Sequence, residues 1–176
     1  GPGPITVSTL AEAEYFAEHG YIDITYAVGV SPAAAMRGLE LQRRTGAVVK
    51  FLVDTVEQAD LLGKAGAAVG LTPQAFIELD VDDHRGGLKP GDPMLLAVAD
   101  RLTASGSEVL GLLSHAGESY GLNTREALIA AAENERAATV NAAKALRDHG
   151  HACPVVSVGS TPTAHWAGSK PMASRI

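Results

Sequence analysis

Three short stretches gather side chains able to bind or move charge. Ser157-Val158-Gly159-Ser160-Thr161-Pro162-Thr163 follows an apolar run and joins a glycine, which allows close backbone approach, to the hydroxyls of Ser160, Thr161 and Thr163. Successive N–H groups in such a turn form an anion nest, and the hydroxyls add the donors that a dianionic phosphate requires. A plain Ser/Thr turn has the same composition, so the local pattern leaves both readings open. Ser114-His115-Ala116-Gly117-Glu118-Ser119-Tyr120-Gly121 puts an imidazole, a phenol, hydroxyls and a carboxylate into one loop. That set can orient or protonate a substrate, although a single histidine at a strand end also serves as a hydrogen-bonded structural residue. In Glu78-Leu79-Asp80-Val81-Asp82-Asp83-His84-Arg85-Gly86-Gly87, a period of two sets Glu78, Asp80 and Asp82 on one face near Arg85. Such a face suits either a divalent cation or a buried ion-pair network. The other histidines carry less: His19, His149 and His151 stand at predicted helix ends, where a cation complements the dipole, and His165 is near the C-terminus. Neither Cys153 nor any serine lies in a nucleophile-elbow sequence.

The elements that must hold these stretches alternate along the chain. Short apolar or β-branched runs predict strands over Ile5 to Thr9, Ile22 to Val28, Val48 to Val53, Ala75 to Val81, Val109 to Ser114 and Val155 to Val158. Val48 to Val53 and Phe76 to Val81 are too apolar for half-exposed antiparallel strands and read as parallel strands covered on both faces. Between them run Ala/Leu/Glu-rich segments with helix-start signals. Ser8 or Thr9 with Glu12 makes a capping box before Leu10, and Gly20 stops that helix. Ser31-Pro32 joins a side-chain acceptor to a residue whose missing N–H costs nothing at the first helical position. Thr55 precedes Val56-Glu57-Gln58, Asp92-Pro93 opens a helix from Met94 to about Ala104, and the longest helix starts at Asn123 or Thr124 and runs to Gly150. All three stretches therefore sit at the carboxyl ends of strands, where parallel α/β folds bind ligands.

Composition sets the bounds. With 176 residues, 46% hydrophobic and 19% charged, the chain reads as one globular domain. A net charge of -6 and scattered Lys and Arg supply no stripe to neutralise phosphates, so no nucleic-acid partner is expected. The single cysteine excludes an intrachain disulfide and any multi-cysteine metal site. No apolar run approaches the roughly 20 residues of a membrane helix, and no signal peptide is evident. The expected setting is the cytoplasm, with no membrane partner.

Taken in order, five blocks resemble the N-terminal barrel domain of the alanine-racemase-like, fold-type III pyridoxal-phosphate enzymes, in the branch of D-threonine aldolase and D-serine dehydratase. They are Ile5 to Glu14, Phe51 to Ala59, Glu78 to Gly87, Ser114 to Tyr120, and Ser157 to Thr163. The resemblance implies an α/β fold, a parallel (β/α) barrel of TIM type. It also implies pyridoxal phosphate as cofactor, with the turn at Gly159, Ser160 and Thr161 holding its phosphate and Arg85 near its ring. The loop from His115 to Tyr120 would line the active site, with His115 and Tyr120 as catalytic residues and Tyr120 close to both cofactor and substrate. His115 to Tyr120 is closer to the dehydratase form of this loop than to the aldolase form.

Departures from the family pattern shape the remaining expectations. The family's Schiff-base Lys stands at the end of the first barrel strand, whereas this chain begins at what resembles the second. Lys50 lies early or midway in its strand, and Lys64, Lys89, Lys144 and Lys170 fall in helices or loops. The family's metal ligands belong to a C-terminal domain without a counterpart here, so no metal residue is assigned. Six βα units account for the length, against about 250 residues for a closed eight-stranded barrel. The expectation is thus a partial barrel over residues 5–165, loose residues at 1–4 and 166–176, and exposed strand edges that favour a homo-oligomer. Its function would be that of the barrel portion of a lyase on D-amino acids or 3-hydroxy amino acids, inactive alone. The alternatives are a non-catalytic pyridoxal-phosphate-binding module or a metal-dependent aldolase-like barrel.

Overall fold

The computed structural model describes residues 2–83 and 85–166. Six strands, β1 (Ile5–Val7), β2 (Asp23–Gly29), β3 (Val48–Val53), β4 (Gln74–Leu79), β5 (Glu108–Ser114) and β6 (Val155–Ser157), form one sheet. Their spatial order is the chain order, and every neighbouring pair is parallel. The helices between them are α1 (Leu10–Glu18), α2 (Pro32–Thr45), α3 (Val56–Val69), α4 (Met94–Ala104) and α5 (Arg125–Asp148), with a short α6 (Thr161–Ala164) after β6. This is an open arc of a TIM-type (β/α) barrel, with the parallel βα units that the alternating pattern predicts and the barrel curvature that the family resemblance implies.

Period two along each strand divides the arc into two faces. Ile24, Val49, Phe51, Ile77 and Leu112 are fully buried and pack toward the helices in one large core. Leu52, Phe76 and Leu110 make a separate small cluster on the opposite face. That face is curled: Thr6, Thr25, Lys50, Phe76, Leu113 and Ser157, from six strands, line one cavity of about 290 Å³. The helices lie so close to the sheet that a Cβ at Gly38 in α2 would stand 2.7 Å from the Phe51 ring.

Caps follow the sequence signals. Thr9 and Thr55 make capping boxes with Glu12 and Gln58, Ser31 precedes Pro32, and Thr124 caps α5. β3 alone keeps its expected bounds: β2 is shifted one residue to Asp23–Gly29, β4 and β5 each begin one residue early, at Gln74 and Glu108, and three strands end early. β1 ends at Val7 because the backbone N–H groups of Ser8 and Thr9 donate to Glu12 and so belong to the start of α1. β4 ends at Leu79 rather than Val81, since Leu88 returns alongside it: Asp80 donates its N–H to the Leu88 carbonyl and Leu88 donates to that of Glu78. β6 ends at Ser157, one residue before Val158. The expectations for Gly1, His84, Lys170 and the tail after Trp166 lie outside the described residues.

Candidate active site

The early end of β4 reshapes the acidic stretch. Glu78 stays on the concave face, but the chain turns away after Leu79, and Asp80 and Asp82 take partners of their own. Buried Asp80 accepts from Lys89 Nζ at 2.6 Å and from the Arg85 backbone at 3.4 Å. Asp82 Oδ2 accepts from the Glu118 backbone at 2.8 Å, which ties the β4 exit to the β5 exit. Asp54, just after β3, accepts from the Gly87 backbone at 3.1 Å. The expected shared face of Glu78, Asp80 and Asp82 is therefore corrected: Asp80 and Asp82 anchor loops by separate contacts while Glu78 alone faces the cavity, which favours the ion-pair network over a common cation.

Glu78 borders a cavity of about 420 Å³ with Arg85, Gly86 and Ala27 to Gly29. Burial pushes its carboxyl above the ordinary value of 4.5, the Asp54 charge adds to that, and Arg85 opposes it. Arg85 thus lies at the mouth of the barrel face.

Beyond β5, Ser114 turns to the helix side and accepts a hydrogen bond from the Thr139 hydroxyl at 2.9 Å. A 3-10 helix over Gly117–Gly121 then presents Tyr120, which is 59% exposed. Its ring stacks on His115 with centroids 5.9 Å apart and planes 22° from parallel. The Tyr120 hydroxyl donates to Thr161 Oγ1 at 3.5 Å, and Ser119 Oγ stands 2.6 Å from Ser160 Oγ. Tyr120 is thereby brought together with His115 and Thr161, and Ser119 with Ser160, while Arg85 lines the separate cavity beside Glu78 and the end of β2.

The turn after β6 is more structured than its composition suggests. Ser160 caps α6, and its capping box with Thr163 uses the Ser160 N–H. Gly159 donates its N–H to Glu135 Oε1 at 3.1 Å. Two successive N–H groups of the predicted nest are thus satisfied inside the protein, and Ser160 Oγ is enclosed as well. What faces outward is Thr161, beside Gly159, where an added Cβ would meet only Ala164, at 3.9 Å.

Glu135 is the residue that sequence reasoning missed. It is 2% exposed on α5 and gathers three donors: the backbone of Ala116, the backbone of Gly159 and the Thr163 hydroxyl. It clamps the β5 and β6 exits to one helix. The signal lay in its helical spacing with Ala132, Thr139, Ala142 and Leu146, the stripe that α5 buries. Cys153 is also fully buried, and burial raises its thiol, so it is no ready nucleophile.

The lysines are distributed as their positions suggested. Lys50 pairs with Asp23 at 2.6 Å on the concave face, Lys89 pairs with Asp80 and Asp83, Lys144 pairs with Asp148, and Lys64 lies on α3.

Comparison with known proteins follows this geometry. A family model described as the alanine racemase N-terminal domain matches residues 3–175. The D-threo-3-hydroxyaspartate dehydratase of Delftia sp. strain HT23 is 49% identical over 165 residues, which are 93% of this chain and 43% of that protein. An uncharacterized protein of Mycobacterium tuberculosis is 32% identical over 160 residues, 90% of each chain. The D-serine dehydratase of Dictyostelium discoideum is 28% identical over 169 residues, 90% of this chain and 42% of that one. Among solved structures, the Delftia dehydratase matches with a TM-score of 0.91 at 48% identity, covering 96% of this chain and 44% of its own. The D-threonine aldolase of Filomicrobium marinum matches with a TM-score of 0.81 at 26% identity, covering 96% and 46%. The chain spans less than half of the two dehydratases and of the aldolase, and nine tenths of the mycobacterial protein.

Proposed function

The chain belongs to the alanine racemase N-terminal domain family, and from that premise we propose that it is the barrel portion of a pyridoxal-phosphate-dependent lyase acting on D-configured 3-hydroxy amino acids. The observation that carries this reading is the convergence of the Tyr120 and Thr161 hydroxyls, 3.5 Å apart, beside the open space at Gly159. Arg85 stands at the same end of the sheet, after β4. The names of two relatives support the substrate class: D-threo-3-hydroxyaspartate and D-threonine are both D-amino acids with a hydroxyl at C3.

The residues present fit the cofactor. Thr161 offers a hydroxyl to a phosphate, and the missing side chain at Gly159 leaves room for it. The Arg85 guanidinium supplies positive charge at the cavity mouth, close enough to Glu78 to oppose the rise in that carboxyl's pKa. Pyridoxal phosphate, when bound, supplies an electron sink for charge developing at the substrate Cα. The stacked pair of His115 and Tyr120 borders the substrate side, with the phenol oriented by Thr161 and able to hold a proton near it. Glu135 acts through the loops, fixing both exits so that these groups keep their spacing.

A second reading, binding without turnover, is favoured by the lysines: of those described, Lys50, Lys89 and Lys144 are all held in ion pairs and Lys64 is on a helix. Titrating the chain with pyridoxal phosphate by equilibrium dialysis, then assaying ammonia release from D-threo-3-hydroxyaspartate and D-serine, separates the readings. Binding that is weakened about tenfold or more by Thr161→Val and by Arg85→Gln supports the site. Binding with ammonia release supports the lyase, binding without it the second reading, and no binding overturns both.

We further assign the chain to the cytoplasm and to a homo-oligomer. The lone buried Cys153 and the two outer edges of the sheet, at β1 and β6, support this. No helix among the described residues is long and apolar enough to cross a membrane. Light scattering that gives a monomer mass would remove the oligomer.

A further inference from the structure

The opposite end of the barrel carries a second cluster of ligand-type side chains. Asp100 lies on the outer part of α4, and His149 and His151 flank the turn between α5 and β6. The Nε2 atom of His149 is 3.2 Å from Asp100 Oδ2, and that of His151 is 2.9 Å from Asp100 Oδ1. The ligand atoms of all three residues lie within 4.8 Å of one another. We propose that Asp100, His149 and His151 form a binding site for a zinc-class divalent transition-metal ion that clips α4 to the α5–β6 turn.

The geometry suits such an ion without rearrangement of the backbone. Two ligands about 2.0–2.1 Å from a tetrahedral zinc stand roughly 3.3 Å from each other. The two separations on Asp100 are 3.2 and 2.9 Å, one on each carboxylate oxygen, and the three ligand atoms lie within 4.8 Å of one another, so rotation of the carboxylate and the rings draws them in around one ion in place of the protons that now bridge them. Both imidazoles present the same nitrogen, and both aim at one carboxylate. Two imidazoles and a carboxylate select zinc, nickel or copper over magnesium or calcium, which prefer all-oxygen shells.

The turn holds the rings in readiness. The backbone N–H groups of His149, Gly150 and His151 donate to the carbonyls of Ala145, Arg147 and Leu146 at 3.0–3.1 Å. Gly150, at φ +103°, supplies the conformation that lets the chain reverse within this span. As a result the two rings lie 5.9 Å apart and 27° from parallel. The His151 side chain is only 12% exposed, which fixes its direction, whereas His149 at 44% and Asp100 at 57% leave the site open to solvent and its remaining positions to water.

Such an ion would add a cross-link between the β5 and β6 units that the unfolded chain lacks, so it would stabilise the fold by mass action. Calorimetric titration of the chelator-treated full chain with Zn²⁺ tests this. The expected result is one ion per chain, unchanged by a hundredfold excess of Mg²⁺. His149→Ala and His151→Ala should each weaken binding about tenfold or more, His19→Ala should not, and the double variant should bind no specific ion. Co²⁺ gives a second readout: visible absorption bands that develop with the wild type and are lost in the double variant. Circular dichroism establishes that the variants are folded. Zinc affinity that is the same in the double variant, or fractional stoichiometry in the wild type, overturns the proposal.

Discussion

Glu135 and Thr163 belong to separate helices, α5 and α6, and meet through a buried hydrogen bond in which the Thr163 hydroxyl donates to Glu135 Oε2 at 2.8 Å. The other oxygen of the same carboxylate holds the backbone of Ala116 and of Gly159. One side chain therefore replaces the backbone ladder that has ended at the exits of β5 and β6. Glu135→Ala strips the backbone N–H groups of Ala116 and Gly159 of their acceptor, while the Thr163 hydroxyl can fall back on Ser160, and a loss of about 2 kcal/mol or more is expected. Glu135→Gln, which keeps one oxygen, should lose about 1 kcal/mol. Urea unfolding at constant slope measures both, and equal midpoints for the two variants would contradict the role.

Glu78 makes stability depend on pH in the direction opposite to most carboxylates. Its folded value is raised above 4.5, first by burial and then by Asp54. The folded state therefore binds more protons than the unfolded state through the window that opens near 4.5 and closes at the raised folded value. Stability falls as pH rises through that window. Glu78→Gln removes the charge, so its advantage over the wild type should be small near pH 4 and grow toward pH 7, as followed by urea midpoints. A constant difference between the two proteins would count against it.

Gly111 interrupts the β4–β5 register, where Ala75 pairs with Val109 but Phe76 with Gly111. Its φ is +145°, and an added Cβ would stand 1.8 Å from the Val155 carbonyl oxygen. Gly111→Ala should break the β5–β6 pairing at a loss of about 3 kcal/mol or more. Hydrogen exchange would report this as lost protection at Val155 to Ser157 with β2 and β3 still protected. Uniform loss of protection would instead indicate global unfolding.

Tyr120 separates ligand binding from folding. The phenol is exposed, its ring stacks on His115, and its hydroxyl makes one long hydrogen bond, to Thr161. Tyr120→Phe should leave stability within about 0.5 kcal/mol of the wild type. On the proposed function it should also raise the Kd for pyridoxal phosphate roughly tenfold, about 1.4 kcal/mol. Unchanged affinity would take Tyr120 out of the site.

What was legible in the sequence follows from which interactions are local. Val48–Val53 is found residue for residue because five of its six residues are apolar, with only Lys50 breaking the run, as suits a strand largely covered on both faces. Ser31, Thr55 and Thr124 mark helix starts because a cap is set by the next three residues. The end of β4 was not legible: Asp80 and Asp82 continue the period of Glu78, and only Leu88, folding back, ends the strand. The α6 cap shows the same limit. Ser160 and Thr163 suit a phosphate nest and a capping box equally, and it is Glu135, distant in sequence, that commits Gly159 and Thr163 inward. Membership of the alanine racemase N-terminal domain family, with a D-serine dehydratase and a D-threonine aldolase among its relatives, was legible because five blocks occur in order, which no single loop could establish.

The strand order has a kinetic side. Since each strand lies beside its predecessor, pairing proceeds in the order of synthesis, and no completed unit has to reopen to admit the next. The loops to be closed lengthen along the chain: Ile5 meets Ile24, whereas Gly111 meets Val155 across the whole of α5. Closure entropy therefore places β6, a three-residue strand, last among the six. On the proposed function, ligand competence arrives with that step, since Thr161 reaches Tyr120 only once β6 is in place.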